Sequence, residues 1–199
     1  MPTETGLDSL NPEQQAAVLH PGGPLMVIAG AGSGKTRVIT SRIARLVAQG
    51  TPAYRILAVT FTNKAANEMR SRIAHMVGPP ARDIWMGTFH SVCARLLRIE
   101  GKAIGLPSNF VVYDDADQIA LIKDLLKKKG LDDKSVQPRG VLHEISRAKE
   151  RLLGPTSYEQ QAAGYFERIV AGLYTDYNKA LAAANALDFD DLLMRAVRL

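Results

Sequence analysis

The sequence predicts an α/β fold in which a parallel sheet carries helices on its faces and a helical segment follows. Short apolar runs at residues 25–28, 56–59 and 84–86 are each followed by a helical pattern. Each run ends in a stretch of small and polar residues, and these stretches read AGAGSGKT, TFTNKA and GTFHS. Because ligands of parallel sheets bind beyond the carboxyl ends of the strands, we expect the functional site at this edge.

The composition is that of an ordinary globular protein, with 199 residues of which 46% are hydrophobic and 23% are charged. No apolar run is long enough to span a bilayer, and the first ten residues lack the apolar core of a signal peptide, so we expect a cytoplasmic protein without membrane contact. One cysteine and four scattered histidines predict neither a disulfide nor a structural metal. The net charge of +5 is compatible with a polyanionic partner.

Helices are predicted before and after each apolar run of the first half. Asn11 is the predicted N-cap of a short first helix, with Pro12 at its first position. The second apolar run leads into a helix with Asn63 as its predicted cap, which reaches about Val77. The third run leads into a helix that Gly105 terminates.

The second half of the chain is predicted to be helical, since no convincing strand appears in it. Asp114 is the predicted cap of its first helix, and Asp188 is the predicted cap of its last. A further helix is predicted over residues 141–153, and apolar spacings of three and four predict a long amphipathic helix over residues 158–184. The predicted domains are a sheet-containing part at residues 1–114, a helical part at 115–187, and a return to the first part at 188–199.

The stretch AGAGSGKT fits the phosphate-loop pattern G-x-x-x-x-G-K-[ST], except that Ala29 replaces the first glycine. Backbone N–H groups of such a loop converge on phosphate oxygens at a helix N-terminus, and glycines leave room for that approach. Lys35 would supply positive charge to the phosphates and the Thr36 hydroxyl would be a ligand for Mg²⁺, so these two residues are the catalytic candidates. The alternative is an ordinary glycine turn. The predicted phosphate-contacting residues are Ala29, Gly30, Ala31, Gly32, Ser33, Gly34, Lys35 and Thr36.

The stretch after the second apolar run combines an aromatic ring, short polar side chains and a cation. Single-stranded DNA requires this set for base stacking, hydrogen bonding and charge neutralisation. The structural alternative is that Asn63 caps a helix and that Phe61 is buried. The candidate DNA contacts here are Phe61, Thr62, Asn63 and Lys64.

Five motifs occur in one order along the chain, and they read LNPEQQAAV, AGAGSGKTRV, AVTFTNKAANEM, GTFHSVCARLLR and LDFDDLL. With these motifs the chain resembles the superfamily 1 DNA helicases of the UvrD/Rep/PcrA type over essentially its whole length. The resemblance implies a RecA-like P-loop NTPase sheet with a helical insertion, and ATP-dependent 3′ to 5′ DNA unwinding in repair or replication. It implies ATP and Mg²⁺ as cofactors, with single-stranded DNA and single/double-strand junctions as partners.

The resemblance also implies roles for individual residues. Gln14 would read the adenine ring, which suits a carboxamide that donates and accepts hydrogen bonds at once. Arg37 would contact the bound nucleotide. The resemblance places further DNA contacts after the third apolar run, at Thr88, Phe89 and His90. The alternative for Gln14, Arg37 and His90 is an ordinary solvated or structural role.

The family's Asp-Glu pair, which would hold Mg²⁺ and position the attacking water, does not occur in the 199 residues, nor does a second motor domain with its arginines. We therefore expect the N-terminal part of a longer helicase, inactive by itself. One alternative is a helicase–nuclease of the RecB or AddA type, and another is an ATP- and DNA-binding module without turnover. A GTPase is disfavoured because TNKAA lacks the aspartate of the guanine-reading Asn-Lys-x-Asp motif.

Overall fold

A computed structural model describes residues 7–131 and 136–199. The chain divides into two compact units, Met1–Val92 and Cys93–Leu199. The described residues form a helix-rich α/β protein with two small parallel sheets, each of two strands. No helix among the described residues is long and apolar enough to cross a membrane.

The first unit contains two strands and the helices that pack beside them. The short 3₁₀ turns of this unit are Leu7–Ser9, Ala53–Arg55 and Pro79–Asp83. Its helices and strands are α1 (Pro12–Leu19), α2 (Lys35–Ala48), β1 (Leu57–Thr60), α3 (Asn63–Val77), β2 (Trp85–Thr88) and the beginning of α4 (Phe89–Glu100).

The strands β1 and β2 run parallel, with Leu57 opposite Trp85 and Thr60 opposite Thr88. Apolar side chains from this sheet pack with α2 and α3 into one core, which is contributed by Ile43, Ile56, Ala58, Met69, Ile73, Ala81 and Ile84. Both strands end at the same edge of the sheet, so the segments that follow Thr60 and Thr88 begin side by side. The prediction of parallel second and third strands is confirmed.

The predicted first strand is wrong for the described structure. Residues 25–28 have no regular secondary structure, and Met26 and Ile28 are 82% and 87% exposed. A strand is held by hydrogen bonds from a neighbouring strand, and among the described residues β1 pairs with β2 alone. The apolar composition of residues 25–28 favours burial, but it does not determine whether a neighbouring strand is present to pair with them.

The second unit is built mainly from helices. A 3₁₀ turn at Gly101–Ile104 follows α4. The remaining elements are β3 (Val111–Val112), α5 (Asp115–Lys128), α6 (Pro138–Glu150), α7 (Pro155–Glu159), α8 (Tyr165–Ala183), β4 (Ala186–Leu187) and α9 (Phe189–Arg198). The strands β3 and β4 pair in parallel, with Val111 opposite Ala186. Neither β3 nor β4 was predicted, because two residues are too short to show a strand period.

The long helix predicted over residues 158–184 is two helices, α7 and α8, with a break between them. The Glu167 carboxylate accepts hydrogen bonds from the backbone N–H groups of Gly164 at 2.6 Å and Ala163 at 3.0 Å. These bonds satisfy N–H groups at the start of α8 and hold the pKa of Glu167 below its usual value. The apolar period continues across the break, which is why the pattern alone concealed it.

Candidate functional site

The phosphate loop joins the exposed residues 25–28 to the first turn of α2. Gly32 and Gly34 have φ values of 75° and 82°, in the left-handed region that favours glycine. The helical hydrogen-bond ladder of α2 begins when the Val38 N–H donates to the Gly34 carbonyl at 3.0 Å. The N–H groups of the preceding residues therefore lie at a helix N-terminus outside that ladder, which is the arrangement that favours an anion.

Lys35 lies across the turn of this loop. Its Nζ donates to the carbonyl oxygens of Ala29 at 2.7 Å and Gly30 at 2.5 Å. The Ser33 hydroxyl donates to the same Gly30 carbonyl at 2.7 Å. Both Lys35 and Thr36 are exposed, so their polar groups are accessible to a ligand. The ammonium is held beside the helix N-terminus by weak neutral acceptors, which a phosphate oxygen can replace.

Gln14 connects α1 to the phosphate loop. Its backbone N–H donates to the Asn11 side chain at 2.8 Å, and its Oε1 accepts from the Asn11 N–H at 3.1 Å. These two bonds form a capping box, which confirms Asn11 as the N-cap of α1. The Gln14 Nε2 donates to the Ser33 carbonyl at 2.9 Å. Gln14 therefore anchors the loop, a role that was not predicted from the sequence. Its adenine-reading role stays a prediction.

Arg37 lies beside a cleft on the outer face of α2 and α3. Its Nη2 donates to the Ser9 hydroxyl at 2.6 Å. The cleft has a volume of about 350 Å³, and Arg37, Arg72 and His75 contribute to its lining. This cluster of basic side chains near the first turn of α2 is compatible with a nucleotide contact by Arg37, which stays a prediction.

The segments that follow β1 and β2 bring two aromatic rings together. Phe61 is 91% exposed, so its predicted alternative of burial is wrong. Its ring centroid lies 5.5 Å from that of Phe89, which is 42% exposed, and the two ring planes meet at 47°. Lys64, the second residue of α3, is also exposed. These three side chains form an accessible aromatic and cationic surface at the sheet edge, here called the Phe61–Phe89 surface.

The threonines beside that surface cap the helices that follow. The Thr62 hydroxyl accepts from the Ala65 N–H at 3.1 Å, so Thr62 is the N-cap of α3 and the prediction of Asn63 in that place is wrong. Asn63 is instead the first residue of the helix. The buried Thr88 hydroxyl accepts from the Ser91 N–H at 3.2 Å. Both hydroxyls thus accept hydrogen bonds from backbone N–H groups. The two threonines affect the Phe61–Phe89 surface through the helices that they position.

A buried ion network in the second unit was not predicted. The Lys149 Nζ lies 2.6 Å from an Asp188 oxygen and 2.9 Å from an Asp191 oxygen, and its side chain is fully buried. The Tyr177 hydroxyl donates to the same Asp188 oxygen at 2.9 Å. Here this set is called the Lys149 network. The sequence contained a signal for the burial of Lys149, because Lys149 follows Val141 and Ile145 at spacings of four on the buried side of α6.

Burial raises the pKa of two groups in the Lys149 network, Asp191 and Tyr177. It raises the pKa of the Asp191 carboxyl above its usual value, although the Lys149 ammonium acts in the opposite direction. Burial and the Asp188 carboxylate raise the pKa of Tyr177, so its hydroxyl keeps the proton that it donates. Asp188 also caps α9 as predicted, since its other oxygen accepts from the Asp191 N–H at 2.8 Å. The network therefore joins α6, α8 and the first turn of α9.

The amino-acid sequence of the chain matches a known protein family. The family model for the UvrD/REP helicase N-terminal domain matches residues 10–199. The chain is 50% identical over 194 residues to the ATP-dependent DNA helicase PcrA of Bacillus subtilis strain 168, an alignment that covers 97% of this chain and 26% of that protein. It is 45% identical over 194 residues to PcrA of Staphylococcus aureus strain Mu50, with 97% and 27% covered. The chain spans about a quarter of the length of these relatives. It belongs to the UvrD/REP helicase N-terminal domain family.

Proposed function

We propose that the chain is the nucleotide- and DNA-binding N-terminal part of an ATP-dependent DNA helicase that acts in the cytoplasm, in repair or replication. The observation that carries the proposal is the phosphate loop, where two left-handed glycines lead into a helix that presents Lys35 at its N-terminus. The printed names of the family and of the PcrA relative support a DNA-unwinding activity. The 3′ to 5′ direction is proposed from the motif resemblance alone. We also propose that residues 1–114 and 188–199 belong to a RecA-like motor subdomain and that 115–187 form its insertion.

ATP with Mg²⁺ is the proposed cofactor. The residues fit it, because exposed N–H groups at the start of α2 and the Lys35 ammonium suit phosphate oxygens. The Thr36 hydroxyl would be a ligand for the metal, which neutralises phosphate charge when bound. Gln14 would contact the adenine base and Arg37 would contact the bound nucleotide. Gln14 already touches the loop through Ser33.

Single-stranded DNA and its junctions with duplex are the proposed partners. The Phe61–Phe89 surface offers exposed rings for base stacking and the Lys64 ammonium for a phosphate. Thr62 and Thr88 orient the segments that carry these side chains. Asn63 and His90 are proposed as the polar contacts that complete the surface.

The 199 residues alone are proposed to bind ATP without appreciable hydrolysis. Thr36 contributes one metal ligand, and Lys35 contributes one positive charge. Phosphoryl transfer also needs a group that positions the attacking water, and often an arginine that is worth about 10³ to 10⁵ in rate. Contacts made equally in the ground state and the transition state favour binding and leave the chemical rate low.

Titration calorimetry with Mg·ATP tests this proposal. We expect saturable binding that Lys35→Ala weakens by about tenfold or more, because a charged hydrogen-bond partner of the phosphates is lost. Lys102→Ala, which removes an exposed lysine from the second unit, is the matched control and should bind like the parent chain. Equal affinity in Lys35→Ala and Lys102→Ala would exclude the phosphate loop as the nucleotide site. Rapid hydrolysis by the 199-residue chain would contradict the binding-only proposal.

A further inference from the structure

A second polar cavity lies in the first unit, between the end of α1 and the last turns of α2. Its volume is about 320 Å³. The polar side chains of its lining are His20, Arg42, Arg45 and Gln49. The described lining carries three basic side chains and no carboxylate, so its charge balance favours an anion.

Arg42 holds a fixed positive charge in the wall of this cavity. Its Nη1 donates to the carbonyl oxygens of Ala17 at 3.1 Å, Val18 at 3.2 Å and His20 at 2.9 Å. These carbonyls belong to the C-terminal end of α1, whose partial negative charge would otherwise repel an anion. Arg42 therefore offsets the partial negative charge at that end of the helix, so the net charge of the cavity lining stays positive.

Two further basic groups of the lining have unused hydrogen-bonding capacity. The His20 Nδ1 is buried and has no hydrogen-bond partner among the residues that the structure describes. Arg45 is half-buried, and its guanidinium makes no hydrogen bond or ion pair with any described residue. Buried polar atoms are normally paired, so the unpaired His20 nitrogen indicates a missing partner. The Arg45 guanidinium, which lines the same cavity, has N–H groups that can donate to that partner.

We propose that this cavity is a binding site for a phosphate-type oxyanion, held by Arg45 and His20 with Arg42 behind them. It is distinct from the phosphate loop, because Arg45 lies ten residues beyond Lys35 on the same helix, about 15 Å at 1.5 Å per residue. A tetrahedral oxyanion offers several acceptors to donors that converge from α1 and α2. The anion is either a free phosphate ion or a phosphate group of DNA, which share this chemistry.

Histidine NMR tests the proposal, since the chain has four histidines and His20→Gln identifies one resonance. Inorganic phosphate is titrated against chloride at constant pH and ionic strength, in a Lys35→Ala background that weakens binding at the phosphate loop. We expect a saturable shift of the His20 signal. Arg45→Gln should weaken phosphate binding by about tenfold, because a charged donor is lost. Arg55→Gln, which removes an exposed arginine elsewhere in the first unit, should leave the affinity unchanged.

The source of the oxyanion is decided by the salt dependence of single-stranded DNA binding. A DNA phosphate in the cavity predicts that Arg45→Gln reduces the logarithmic salt slope by about one relative to Arg55→Gln. An unchanged slope with phosphate binding retained assigns the free ion. Absence of a saturable His20 shift, or equal phosphate affinity in Arg45→Gln and Arg55→Gln, would overturn the proposal and leave the proposed nucleotide site unaffected.

Discussion

Gly34 is the residue of the phosphate loop where a side chain would be most disruptive. Its φ is 82°, and a Cβ built on it would lie 2.8 Å from the Gln14 Nε2. The Gln14 amide would have to move, and its bond to the Ser33 carbonyl would be lost. We expect Gly34→Ala to lower the free energy of unfolding by about 1–2 kcal/mol.

Urea denaturation measures this change, with Gly30→Ala as the matched control. Gly30 lies in the same loop, has no positive φ, and a Cβ there meets no atom within 4 Å. Gly30→Ala should therefore have an unfolding midpoint close to that of the parent chain. Equal losses in the two variants would show that the left-handed backbone of Gly34 is not the cause.

The DNA-binding roles proposed for Phe61 and Lys64 are separable by experiment. Phe61→Ala should reduce single-stranded DNA affinity by about 1–3 kcal/mol through lost stacking, with little change in salt dependence. Lys64→Ala should instead lower the salt slope by about one. Fluorescence anisotropy over a salt series measures both quantities. Since Phe61 is 91% exposed, its removal should leave the circular dichroism spectrum unchanged, and a loss of folding would contradict the stacking role.

The Lys149 network links the helices α6, α8 and α9. Lys149→Met should cost about 3–5 kcal/mol of unfolding free energy, because two buried carboxylates lose their counter-charge. Lys128→Met is the control, since its ion pair with Asp124 is 69% and 53% exposed and should be worth about 0–1 kcal/mol. Urea unfolding of both variants checks this. Similar small losses would show that the buried network contributes little.

Helix caps were the most predictable elements because their chemistry is local. Asn11, Asp114 and Asp188 each cap the helix that follows, as the sequence predicted. The cap at Asn63 was misplaced by one residue, since Thr62 carries an equally suitable oxygen. Where a side chain caps the helix, local patterns therefore locate its start to within a residue. The helix α6 has no side-chain cap, and it begins at Pro138, three residues before the predicted start at residue 141.

Interactions between distant residues could not be predicted in the same way. The run at 25–28 has the composition of a strand, yet a strand also needs a hydrogen-bonding neighbour, which composition does not specify. The bond from Gln14 to Ser33 spans 19 residues, and that from Lys149 to Asp188 spans 39. The sequence motifs thus indicated the candidate phosphate loop and the residues of the Phe61–Phe89 surface, but not the contacts that anchor them or join the helices.

The helicase activity proposed for the chain can be tested in a chimera with a longer relative. Because the chain aligns with 26% of the Bacillus subtilis PcrA, it can replace the matching segment of that protein. We expect this chimera to unwind duplex with a 3′ tail and not duplex with a 5′ tail, in an ATP-dependent manner. Lys35→Ala in the chimera should abolish unwinding. Unwinding from the 5′ tail would contradict the proposed direction.

The exposed residues 25–28 have a consequence for the protein in solution. Four apolar side chains stand beside backbone donors and acceptors that no described strand pairs, in a segment without proline or charge. Such a segment is a template for strand addition by another copy of the chain. Self-association of the 199-residue chain is therefore expected to rise with protein concentration, and the residues that lead into the phosphate loop are where it would begin.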